Sequence, residues 1–117
     1  MINEKVRKNL IEVAKKKGVI YYSDLNNECQ LGINFEGDAG GREIGEILGN
    51  ISEYELKNDR PPISVLVGLK YKKPFIPSDG FFKLMDKLDI REQKETDDQM
   101  RNRLMNWCYE YWEDNNN

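Results

Sequence analysis

The sequence predicts an α+β fold that is mostly helical, a winged-helix-like core with a small β-hairpin and two additional C-terminal helices. Three observations predict it. Apolar residues recur at helical spacing in four amphipathic segments. A single short run, residues 63–69, is apolar on both faces. The order is helix, short β-prone stretch, helix, helix, then a hairpin, which suits a winged helix. At 117 residues the chain reads as one domain, 1–117, large enough to bury roughly two-thirds of its unfolded surface. No repeat or linker divides it, and residues 114–117 are expected to fray.

Each element has its own warrant. Ile2, Val6, Leu10, Val13 and Ala14 fall on one helical face, and Gly18 stands where a C-terminal cap belongs. Val19, Ile20, Tyr21 and Tyr22 are β-prone. Ser23 is placed to cap a short second helix that ends near Cys29 and buries Leu25. Four glycines within residues 32–41 indicate a loop. A third helix begins near Arg42, with Ile44, Ile47, Leu48 and Ile51 on one face and Tyr54 extending it. Gly45 and Gly49 lie four apart, a spacing that permits close approach of a neighbouring backbone.

Pro61 and Pro62 stop that helix and favour an extended entry. Residues 63–69 are then expected to be the central strand, residues 70–73 a turn, and residues 74–77 a return strand. Ser78 or Asp79 caps a fourth helix with Phe81, Leu84, Met85 and Leu88 on its apolar stripe. A charged loop follows, with no apolar pattern after Ile90. Thr96 and Gln99 fit a capping box for the last helix. There Met100, Leu104, Trp107, Cys108 and Tyr111 share a face that Trp112 widens.

Charge is uneven along the chain. The net charge is −3, with residues 1–20 basic and residues 21–60 acidic. Lys15, Lys16 and Lys17 form one basic run, and Lys70, Lys72 and Lys73 form another. Brought together, with the second run at the tip of a wing, they would make one positive patch able to meet phosphates. Taken separately, the first run complements a helix C-terminus and the second decorates a turn. Lysine outnumbers arginine 12 to 6 and there are 12 asparagines, a bias that points to an AT-rich genome, such as that of a low-GC bacterium or its phage. No apolar run reaches the ~18 residues of a membrane span. The N-terminal residues lead into a polar helix rather than a signal segment. Two cysteines do not make a disulfide framework. A cytoplasmic setting with reduced thiols is expected, with no membrane partner.

Catalytic constellations are sparse. Histidine is absent, so neither Cys29 nor Cys108 has an imidazole to activate it, and Cys108 falls in the apolar stripe. The glycine cluster before the third helix lacks the Gly-Lys-Ser/Thr ending of a phosphate-binding loop. Glu53, Glu55 and Lys57 echo the Glu-x-Lys of metal-dependent nucleases, but no upstream carboxylate completes the site, and both glutamates are expected on a solvated surface. The chain is read as no enzyme, with no cofactor and no metal. Trp107 and Tyr111 belong to core packing. Tyr109 and Trp112 are expected to face outward, rimmed by Glu110, Glu113 and Asp114. That acidic rim suits a protein partner and repels phosphate.

Four pieces of sequence carry a resemblance: Tyr22-Ser23-Asp24-Leu25, Ile44-Gly45-Glu46-Ile47-Leu48, Arg60-Pro61-Pro62-Ile63-Ser64-Val65-Leu66-Val67, and Asp79-Gly80-Phe81-Phe82. Together they resemble an uncharacterised family of small bacterial and phage proteins, whose members often end in a Trp- and Tyr-bearing helix. That family usually has Gly where this chain has Asp59, and Pro-Gly where it has Asp79-Gly80. The resemblance implies no nameable activity. Arg42-Glu43-Ile44-Gly45 is also similar to the winged-helix part of alkyltransferase-like proteins, whose catalytic Pro-Cys-His-Arg element has no counterpart here.

The expected function is therefore a non-enzymatic binding module acting by protein–protein contact, an accessory or inhibitor protein of a bacterium or mobile element. The acidic third helix, with Glu43, Glu46, Glu53 and Glu55, supports it, since a DNA reader needs Lys or Arg there. Arg60, Ser64, Gly80 and Phe82 are the expected contact residues, because the turns of the resembling pieces meet there, with Tyr109 and Trp112 beside them. Arg60 is expected to pair with a carboxylate. The alternative is a winged-helix nucleic-acid-binding protein that grips phosphate through Lys15, Lys16, Lys17, Lys70, Lys72 and Lys73.

Overall fold

A mostly helical α+β architecture forms in the computed structural model, which describes residues 1–70, 73 and 75–115. Its elements are α1 (Glu4–Lys15), β1 (Ile20–Tyr21), α2 (Tyr22–Glu28), α3 (Ala39–Lys57), a 3₁₀ turn (Ile63–Leu66), β2 (Val67–Gly68), α4 (Asp79–Lys87) and α5 (Asp97–Asp114). Asn3 caps α1, its Oδ1 accepting the Val6 N–H at 3.0 Å. The capping box read from the sequence is present at α5, where Thr96 and Gln99 each bond the other's backbone. Asp114, expected to fray, closes α5, while Asn116 and Asn117 lie outside the described residues.

Residues 63–69 are central, as read, but they are not a strand. Ile63, Val65, Leu66 and Val67 are fully buried, and α1, α3 and α5 all pack on the 3₁₀ turn. Val65 N–H bonds back to Pro62 O at 3.1 Å, and Ser64 N–H donates to Ser52 Oγ on α3 at 3.0 Å. A short run buried on every side reads alike as strand or helical turn, because burial all round erases the period that separates them.

The hairpin is corrected as well. β2 pairs with β1, 47 residues earlier by the register Ile20↔Val67 and Tyr21↔Gly68, and the two run parallel. Parallel strands need a crossover, which α2 and α3 supply. After β2 the chain doubles back far enough for Leu69 N–H to reach Ile76 O at 3.2 Å, but residues 75–78 form no strand. The hairpin that supported the winged-helix expectation is therefore not formed among the described residues. Phe75 and Ile76 instead lie on Gly68, where a Cβ would come within 2.5 Å of the Phe75 ring.

Helices α1 to α4 all end the same way. The N–H two residues past the cap reaches the carbonyl of the last turn: Gly18 to Val13, Leu31 to Asn26, Arg60 to Glu55 and Ile90 to Met85. This is the Schellman arrangement, which requires a left-handed residue in between. Non-glycine residues fill that position: Lys17, Gln30, Asp59 and Asp89, with φ between 54° and 60°. Gly18 thus stands one residue beyond the position that glycine usually takes.

The charged loop between α4 and α5 is tied by two arginines. Arg91 Nε donates to Asp86 Oδ1 at 2.7 Å, its Nη2 to Asp97 Oδ1 at 2.6 Å, and its Nη1 to Glu95 O at 3.0 Å. Arg103 holds the Glu95 carboxylate through Nε at 2.8 Å and Nη2 at 2.9 Å, and also reaches Ile90 O at 2.9 Å. Partly buried, multiply bonded arginines of this kind hold a loop better than isolated surface pairs do.

Candidate functional site

A groove of about 630 Å³ opens between the N-terminal half of α3 and the start of α4. Gly41, Gly45 and Gly49 form its trough, one helical turn apart. Leu48, Phe81 and Leu84 supply apolar wall; Tyr22, Arg42, Ser64 and Ser78 supply polar groups, and Asp38 stands on the rim. This volume lies within the range of ligand clefts.

The glycines are informative because the fold does not need all of them. A Cβ at Gly40 would fall 2.1 Å from Asn34 O, so Gly40 is required by packing. At Gly41 and Gly45 a Cβ would meet nothing within 4 Å, and both are exposed. Glycine inside a helix is less favourable than alanine by about 1 kcal/mol. A helix interior that retains glycine at Gly45 with no packing reason breaks a local rule, and such breaks concentrate at functional sites.

At the groove floor the Ser52 and Ser64 hydroxyls lie 2.6 Å apart, and Ser52 Oγ also accepts the Ser64 N–H. Two hydroxyl protons share one oxygen–oxygen contact, so one proton has no acceptor among the described residues. Ser52 is fully buried, and a spare proton there would cost about 1–3 kcal/mol. Ser64 lines the groove. Either hydroxyl can be the donor of that contact. The Tyr22 hydroxyl accepts the Ser78 N–H at 3.0 Å, which fixes α2 against the start of α4. Both helices at the groove begin without a side-chain cap: neither Asp38 nor Ser78 bonds its first turn.

The six expected contact residues divide. Ser64 and Gly80 do meet in the groove. Arg60 is paired as expected: its Nε donates to Glu55 Oε1 at 2.7 Å. Its role is internal, however. Glu55, expected on a solvated surface, is fully buried and also receives Arg7 through Nε at 2.7 Å and Nη2 at 3.2 Å. Both guanidinium groups lie over the Tyr54 ring, at 5.6 and 5.2 Å, and that of Arg7 also lies 5.8 Å from Trp112. Burial works against the Arg60 charge, but the Glu55 hydrogen bond and charge, with Tyr54, keep its pKa above the ordinary value. The two arginines turn Glu55 inward because a buried carboxylate is tolerated only when paired.

Phe82 is core, 5% exposed and edge-on to Phe81. Trp112, expected outward, is 1% exposed and packs edge-on against Tyr111. The buried stripe of α5 advances in steps of four, Met100, Leu104, Cys108 and Trp112, so it takes in Trp112 and leaves Trp107 half-buried. Tyr109 is half-buried, and its hydroxyl donates to Gly18 O at 2.8 Å, clasping α5 to the end of α1.

The two basic runs flank the short parallel ladder. Lys15, Lys16 and Lys17 precede β1, whereas Lys70 and Lys73 follow β2. Lys17 also lies 3.6 Å from Glu113. Lys72 lies outside the described residues. Both cysteines are buried. Burial and then Glu28 push the Cys29 thiol pKa up, with Lys5 opposing; burial and then Glu55 push up that of Cys108. Among the described residues no cluster of acidic and cysteine side chains could hold a metal ion, and no helix is long and apolar enough to cross a membrane.

The sequence reading missed Tyr22, Arg42 and Gly41 as site residues. The usable signal was glycine at every fourth position from Gly41 to Gly49, on a face to one side of the buried Ile44 and Ile51. Compared with family models, curated proteins and solved structures, the chain matches none.

Proposed function

We propose that this chain is a binding module that acts by contact with another protein, and that the α3–α4 groove is the contact site. The observation that carries the reading is the exposed, packing-free glycine at Gly45 in the middle of a 19-residue helix, opening into a groove that two of the expected contact residues also line. The acidic exposed face of α3 favours protein over nucleic acid as the partner. A cytoplasmic accessory or inhibitor role fits this reading.

The test is affinity capture from a nuclease-treated bacterial lysate with the wild-type chain and with Gly45→Leu, which fills the trough from an open position. The reading expects at least one protein held by the wild type and lost by the variant. Identical capture by both, or loss of all capture on nuclease treatment, would count against it.

A further inference from the structure

We draw no further inference here: the strongest candidate, the apolar groove between α3 and α4 with Gly41, Gly45 and Gly49 along its trough, belongs to the contact site already described, and nothing in the structure shows what covers it.

Discussion

Replacing Gly45 with alanine should make the protein more stable, an outcome that separates a functional glycine from a structural one. The added Cβ meets nothing within 4 Å, so no packing penalty offsets the gain in helix propensity, about 1 kcal/mol in a helix interior. For a chain of 117 residues that is a rise of roughly 3–6 °C in Tm. Gly40→Ala provides the contrast within the same helix. Its Cβ would sit 2.1 Å from Asn34 O and 2.9 Å from Asn34 C, both backbone atoms, and forcing the loop aside should cost about 1–3 kcal/mol. Thermal and urea melts followed by circular dichroism read both. A destabilised Gly45→Ala, or a Gly40→Ala as stable as the wild type, would refute the reasoning that divides these glycines.

Other perturbations have equally definite outcomes. Glu55→Ala leaves the Arg7 and Arg60 guanidiniums buried without their carboxylate and should destabilise by about 3–5 kcal/mol in urea unfolding; a loss below about 1 kcal/mol contradicts a paired role. Gln30→Gly and Asp59→Gly should each stabilise by about 0.5–1 kcal/mol, the left-handed strain relieved less the added chain entropy, and an unchanged midpoint would count against strain at these caps. The Arg91 hydrogen bond lowers the Asp86 pKa, and the Arg103 hydrogen bond lowers that of Glu95. A carboxylate depressed in the folded state contributes stability that is complete above its unfolded value and is lost as pH falls through the folded one. Stability should therefore drop as pH falls below the ordinary carboxylate range of about 4, and drop less in Arg91→Gln/Arg103→Gln; an equal drop in the variant sinks the assignment. Both thiols should resist a thiol-reactive dye at pH 8 in the native chain and react in urea, and fast native labelling of Cys108 would contradict its burial.

Much of the helical framework was legible because it rests on local signals. The α1 stripe, the Thr96–Gln99 capping box and the α4 stripe each follow from residues within a few positions of one another. What could not be read depended on distant partners. Nothing near Ile63 tells a buried 3₁₀ turn from a buried strand, and the parallel pairing of Ile20 with Val67 depends on α2 and α3 crossing between them. Glu55 looked solvated because its two arginines come from α1 and from beyond the helix end. Trp112 looked exposed because the four-residue stepping of the buried α5 stripe follows from its packing on α1 and the 3₁₀ turn. The site was half legible: Ser64 and Gly80 emerged from turns, whereas Arg42 and Tyr22 join the groove only once α2, α3 and α4 are placed.

The most direct test of the contact site is amide hydrogen exchange of the chain, free and saturated with the protein it captures. The account predicts added protection concentrated in residues 37–49 and 78–84, the two walls of the groove. Protection confined instead to the outer face of α5, or to the lysine runs that flank the ladder, would contradict it.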